Sequence, residues 1–247
     1  MVEPRYYRIK TLLFRCCPGW LRWRRRIFTL AFDDCEGYFS QYGQDKFVDQ
    51  VIFAEERGGV FLDVGAYDGV TINNTYFLEQ SRGWTGMCVE PLPREFARLQ
   101  RARTAVCING CAALEDGTED FLQVHDGHEM LSGRVATFDR RHLARIEDAI
   151  QQAPDATTVM PVRSYALPGL LRTHGISHVD FLSLDTEGGE LELLKSLDLA
   201  ALGVRAIAIE NNYGGGDIER YLSQAGYDLA AFMGCDEIYR RSRPAHA

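Results

Sequence analysis

The sequence predicts an α/β protein built on a doubly wound, mainly parallel sheet. Three observations carry that expectation: five short runs of almost continuous apolar residues, amphipathic helical patterns between them, and a change near the C-terminus to two adjacent strand-length segments. Near-continuous hydrophobicity marks strands covered by helices on both faces, whereas a sheet open to water on one side reads as alternation. Strand–helix alternation is what parallel pairing demands of its connections. A chain of 247 residues is long enough for one large α/β core that needs no disulfides. With 46% hydrophobic and 25% charged residues it fits neither a disordered, a collagenous nor a membrane-embedded class.

Taken in order, the chain opens with a basic arm, residues 1–37, ahead of a domain over 38–247. Residues 1–26 hold eight basic side chains (Arg5, Arg8, Lys10, Arg15, Arg22, Arg24, Arg25, Arg26) and one acid, Glu3, giving +7 there. The chain as a whole carries −8, so the remainder carries −15. Trp20, Leu21, Trp23, Ile27 and Phe28 interleave apolar bulk with these charges. Such an arm suits peripheral contact with an anionic membrane or an acidic partner, and equally a solvated extension. No apolar run in it approaches the ~18 residues of a membrane span, and Arg15 and Arg22 to Arg26 interrupt any secretory h-region. The acid excess argues against a phosphate-binding surface, so nucleic acid is not an expected partner. Seven cysteines, an odd number without a Cys-x-x-Cys pair, suggest a reducing, cytoplasmic compartment.

The five apolar runs fall at 60–64, 84–89, 105–108, 179–184 and 204–209. Helical patterns sit at Val48, Val51, Ile52 before the first, at about Thr71 onward after it, and at Phe96, Leu99 after the second. Leu191, Leu194, Leu197 follow the fourth run, and Ile218, Tyr221, Leu222, Ala225 the fifth, with Gly226 as a stop. Residues 110–163 interrupt the alternation, with an apolar piece at 121–124 and a helical pattern at Leu143, Ile146, Ile150. An insertion there would overhang the carboxyl edge of the sheet and could shape a substrate pocket. Residues 227–232 and 237–240 read as a closing antiparallel hairpin.

The segment with the clearest chemistry is Asp63-Val64-Gly65-Ala66-Tyr67-Asp68-Gly69, a buried strand passing into a loop with glycines four apart. Glycines at the carboxyl end of a first parallel strand let a ligand approach the backbone closely. Glu90, 21 residues after Gly69, ends the second run, where an acid can accept the hydroxyl protons of a ribose. Loop and acid together indicate a nucleoside-containing cofactor, a dinucleotide or S-adenosylmethionine. A pyrophosphate wants Gly-x-Gly-x-x-Gly with free N–H groups and no nearby negative charge. Tyr67 replaces the middle glycine, and Asp63 and Asp68 flank the turn, which suits an ammonium and a sulfonium instead. The missing motif also disfavours the rival class, a nicotinamide-dependent oxidoreductase or epimerase.

Ser40-Gln41-Tyr42-Gly43-Gln44-Asp45, the run Phe61 to Gly69, Asn73-Asn74-Thr75, Gly83-Trp84-Thr85-Gly86, Val89-Glu90-Pro91 and the run Leu184 to Glu190 together resemble the FkbM family of methyltransferases. The similarity extends over roughly residues 38–240. It implies a seven-stranded class I methyltransferase sheet, S-adenosylmethionine as donor, and a hydroxyl acceptor on a sugar or other small metabolite. The family's motif residues fall on Asp63, Gly65, Gly69 and Glu90 for cofactor binding, with Tyr67 in the same loop, and on the Asp185 to Glu190 segment beside the reacting centre, so that Asp185 serves cofactor as well as chemistry. Gly189 departs from the alanine common in relatives. Asn109, after the third run, occupies a place where this fold often sets a polar side chain near adenine, and it is equally a turn former in Asn109-Gly110.

Asp185 and Glu187 end the fourth run, and Glu210-Asn211-Asn212 the fifth, so both clusters would face the cofactor loop. They admit three readings: general-base catalysis on the acceptor hydroxyl by Asp185, Glu187 or Glu210; an Mg²⁺ site from Asp185, Glu210 and Asn211; and helix capping by Glu187 and Glu190. The metal reading is similar to metal-dependent small-molecule O-methyltransferases, but their lysine three residues after the first acid is Gly188 here. A catalytically inactive binding module docking through the basic arm is the remaining non-enzyme reading.

Overall fold

The structure is a computed structural model that describes residues 35–125, 127–150 and 155–242. The basic arm lies almost wholly outside the described residues. Val60–Val64 (β1), Thr85–Glu90 (β2) and Val106–Asn109 (β3) pair in parallel, and Phe181–Leu184 (β8) and Ala206–Glu210 (β9) extend the sheet on the other side of β1. The hairpin Tyr227–Met233 (β10) and Asp236–Arg241 (β11) closes it, with β11 antiparallel to β9. Among the described residues the strand order is β3-β2-β1-β8-β9-β11-β10, seven strands, with the order reversing between β1 and β8. Mixed α/β architecture with a central sheet is therefore what the apolar runs build.

Side-chain alternation along these strands feeds two cores. Phe61, Cys88, Ala206 and Ala208 point to one face, where they meet Phe47 of Gln44–Phe47 (α1), Leu78 of Tyr76–Arg82 (α2) and Leu99 of Pro93–Ala102 (α3). Leu62, Met87, Leu182 and Ile207 point to the other. They pack there on Leu167–Thr173 (α5), Glu190–Ser196 (α6) and Asp217–Gln224 (α7). Burial on both faces explains why these strands read as uninterrupted apolar runs.

The insertion is more ordered than its sequence suggests. Cys111–Ala113 (β4), Gly117–Val124 (β5), Gly133–Arg134 (β6) and Thr157–Ala166 (β7) form a second sheet in the order β4-β7-β5-β6, and Arg140–Ala149 (α4) follows β6. β5 and β7 pair antiparallel from Gly117↔Ser164 to Val124↔Thr157. β7 escaped the sequence reading because it is half-exposed, carries Pro161 and has no continuous apolar run. A second correction concerns the helix expected from Thr71. It starts at Tyr76, because Asn73 Oδ1 accepts the amides of Thr75 (3.0 Å) and Tyr76 (2.8 Å) and extends the loop to that point. Among the described residues no helix is long and apolar enough to cross a membrane.

Candidate active site

The carboxyl ends of β1, β2, β8 and β9 open into a cavity of about 300 Å³, at the small end of ligand sites. Gly65 leaves β1 with φ +87°, and a Cβ there would overlap the carbonyl oxygen of Asp185, so only glycine lets the two loops meet. The Gly65 and Ala66 amides both donate to Val89 O, at 3.0 and 3.1 Å. Tyr67 follows with φ +52°, and its amide donates to Glu90 Oε2 at 2.8 Å. Three successive loop amides are thus spent inside the protein and are not presented to a phosphate.

Glu90 accepts a second amide, from Leu92, on Oε1 at 2.8 Å. Burial pushes its carboxyl up to about 7 against the pull of these two amides, with Glu95 and Asp63 adding to the rise. Each oxygen keeps a further lone-pair direction for a hydroxyl, and the group lines the cavity.

Asp63 also reaches the wall, but its carboxylate serves the loop. Oδ2 accepts Asn73 Nδ2 (2.9 Å) and Thr75 Oγ1 (2.7 Å), and burial raises its pKa while Arg103 opposes the rise. Arg103, itself buried, donates to Gly69 O (3.1 Å), Asn73 Oδ1 (3.1 Å) and Thr75 Oγ1 (2.8 Å), and pairs with Glu79. Of the four residues expected towards the ligand, one lines the cavity and three do not. Asp63 lines the cavity and also braces the loop through Oδ2. Asp68 caps the turn through Val70 N (3.0 Å) and Thr71 N (2.7 Å) and is not part of the cavity wall. Gly69 is required because a Cβ would press on Leu99 and Arg103, behind the loop and away from the cavity. Asn109 is exposed and turns its amide onto Glu90 O (2.9 Å) and Pro91 O (3.2 Å), outside the wall.

The other end of the cavity is acidic. Asp185 is anchored by its amide on Val64 O at 3.0 Å. Its side chain is exposed to the open space of the cavity. Glu210, ending β9, is only 7% exposed and lines the same cavity as Asp185. Loss of bulk water raises the carboxyls of both well above the usual range. Asp236 and Glu187 add to the rise at Asp185, and the Asp185 charge adds to it at Glu210. Two carboxyls that share a site in this way resist being ionised together. Asp236 is fixed by Gln44, whose Nε2 donates to Oδ2 at 2.6 Å while Oε1 accepts Tyr42 N at 2.7 Å. Burial pushes the neighbouring Cys235 thiol up, which removes it as a nucleophile.

Glu187 adopts φ +56° and presents Oε2 to Asn212 Nδ2 at 3.0 Å and to His142 Nδ1 at 3.2 Å. Glu190 turns away, accepting Gly188 N (2.7 Å) and Thr186 Oγ1 (2.9 Å) in the turn that starts α6. Neither acid caps α6, whose N-terminus has no side-chain cap; Glu190 instead braces the turn before it, while Asp185, Glu187 and Glu210 converge on the cavity. The Mg²⁺ set is not assembled. Asn211 donates to Gly215 O (2.9 Å) and Glu237 Oε1 (2.9 Å), and its oxygen accepts Gly215 N (3.2 Å). Among the described residues no group of three His, Cys, Asp or Glu side chains is placed to hold a metal ion.

Sequence reasoning overlooked Gln44, Asp236, His142 and Arg103. Gln44 stood inside a quoted motif without a role, and Asp236 stood in what read as a plain hairpin turn. Arg103 and His142 carry no local signal, since their partners lie 24 and 45 residues away in sequence.

Comparison with known proteins bears on the same residues. A family model described as the methyltransferase FkbM domain matches residues 63–229. A solved structure described as methyltransferase FkbM from Methylobacillus flagellatus KT aligns at TM-score 0.49 and 12% identity, over 94% of this chain and 52% of that one. This chain therefore spans about half of that one's length. No curated protein matches the chain. With the family model covering more than half of the chain, from the acid of β1 into β10, the protein belongs to the FkbM methyltransferase family.

Proposed function

We propose that the protein transfers a methyl group from S-adenosylmethionine to a hydroxyl of a small molecule, a sugar or other metabolite, in the cytoplasm. The observation that carries this reading is one cavity with Glu90 on one wall and the Asp185–Glu210 pair on another. The spent amides of Gly65, Ala66 and Tyr67 favour it over a dinucleotide. The residues suit the donor: Glu90 would accept its ribose hydroxyls, Gly65 leaves room at the loop, and the acidic end would receive its positive charges. When bound, S-adenosylmethionine supplies a methyl group on a sulfonium centre.

The chain's own part is then to position and to move one proton. Asp185, its carboxyl raised by loss of solvent and by the neighbouring acids, is placed to act as the general base. It would take the proton of the acceptor hydroxyl as that oxygen bonds the methyl carbon and the carbon–sulfur bond breaks, the sulfur leaving as a neutral thioether. Alignment of acceptor and donor supplies most of the remaining acceleration. The basic arm we assign to peripheral contact with an anionic surface. Incubating the full chain with methyl-labelled S-adenosylmethionine and a cell extract, followed by mass spectrometry, tests the reading. Label in a hydroxyl-bearing small molecule supports it, and label confined to protein or nucleic acid contradicts it.

A further inference from the structure

His142 lies on α4 in the insertion and is 1% exposed, yet both its ring nitrogens are directed to acceptors. Nε2 lies 2.9 Å from Leu131 O, and a carbonyl can only accept, so Nε2 carries a proton. Nδ1 lies 3.2 Å from Glu187 Oε2, within ion-pair distance though not aligned as a full hydrogen bond, and has no other partner. The ring stacks on Phe138 at 4.8 Å, so it is held in one orientation. A bare Nδ1 lone pair against a carboxylate would repel it, so a proton sits between the two.

The same contact joins the insertion to the loop after β8. Thr137 lies so close to Gly188 and Gly189 that a Cβ at Gly188 would stand 2.7 Å from Thr137 O. Arg145, one turn after His142 on α4, comes within 3.7 Å of the same Glu187 oxygen, and Asn212 after β9 donates to it at 3.0 Å. Arg141 stacks over the Tyr213 ring at 4.2 Å. Three separate pieces of chain therefore meet at Glu187, which lines the cavity beside Asp185.

We propose that His142 is a positioning residue: through Nδ1–H it holds the Glu187 carboxylate at the cavity wall and latches the insertion over the acceptor end of the site. The word acceptor rests on the methyl-transfer reading; the latch itself does not. Burial opposes a charge on His142, but the Glu187 and Leu131 contacts outweigh it and raise its pKa, with Arg145 opposing. Asp139, at the start of α4, is the other charge that feels the ring.

Two variants separate the two ring contacts. His142→Asn keeps a donor near the Nδ1 position and loses the Leu131 contact; His142→Gln does the reverse. Full-length protein labelled with ¹⁵N-histidine should show both nitrogens of His142 protonated at pH 7, and Glu187→Gln should return the ring to an ordinary titration. In label transfer from methyl-labelled S-adenosylmethionine to the small molecules of a cell extract, His142→Gln should be slower by roughly tenfold or more, while His142→Asn keeps most of the rate and both bind the donor normally. A bare Nδ1 whose signal ignores Glu187→Gln overturns the proposal, and so does an equal loss in both variants with a shared fall in Tm. If the unmodified protein transfers no label, the methyl-transfer reading fails and the ¹⁵N titration alone decides the latch.

Discussion

Glu90 Oε2 accepts the Tyr67 amide at 2.8 Å, across the gap between β2 and the loop that follows β1. One carboxylate therefore shapes the cofactor loop and faces the cavity it encloses. Glu90→Ala should weaken S-adenosylmethionine binding by ~2 kcal/mol, about 30-fold in Kd, through lost charge-assisted hydrogen bonds. Calorimetric titration of the folded variant checks this, and an unchanged Kd would remove Glu90 from the ribose site.

The ligand-free protein should lose stability as pH rises. Glu90, Asp185 and Glu210 all have folded pKa values above their unfolded ones. The folded state thus keeps protons that the unfolded chain gives up. Their contribution is complete below the ordinary carboxylate pKa and is lost as pH climbs through about 7 for Glu90 and through the titration of the acidic pair. His142, also raised, acts in the same direction. Tm should accordingly be higher at pH 6 than at pH 8, and Asp185→Asn should flatten the difference. A Tm that rises over that interval contradicts the assigned shifts.

Arg103→Met should be among the most damaging substitutions away from the cavity. It strands Glu79 and Asp63 in the interior without a counter-charge and frees Gly69, Asn73 and Thr75 together, at a cost of about 3–5 kcal/mol. Urea unfolding reads this directly, and a loss below about 1 kcal/mol would show that the loop holds itself.

Asn109→Ala, by contrast, should leave the donor's Kd within about twofold, as expected of an exposed side chain outside the site. A tenfold loss would bring Asn109 back to the cofactor.

The contrast between Glu90 and Asn109 shows what the sequence could reveal. Strands buried on both faces announce themselves, so β1, β2, β8 and β9 and the acids that end them were legible, as was the hairpin. Whether a polar residue at a strand end turns into the cavity or onto the backbone depends on the next residue's geometry. Asp63 lines the cavity, whereas the side chains of Asp68 and Asn109, the latter read equally as a turn former, turn onto nearby backbone instead. Gln44 and Asp236 meet across 192 residues, and no local pattern encodes such a pair. The second sheet stayed hidden because one-sided, half-exposed strands such as β7 imitate loops.

Asp185→Asn should separate chemistry from binding. The change keeps the shape and one acceptor oxygen but removes the base, so label transfer should fall by ~10²-fold or more with donor affinity little changed. EDTA should leave the unmodified protein's rate as it was, since Asn211 is committed to Gly215 and Glu237. Loss of rate that Mg²⁺ restores would revive the metal reading.

The most direct test of the account is calorimetric titration of the unmodified full chain with S-adenosylmethionine and, separately, with NAD⁺. The loop with its amides spent on Val89 and Glu90 predicts saturable heat with S-adenosylmethionine and none with NAD⁺. Saturable binding of NAD⁺ with no signal from S-adenosylmethionine would contradict it.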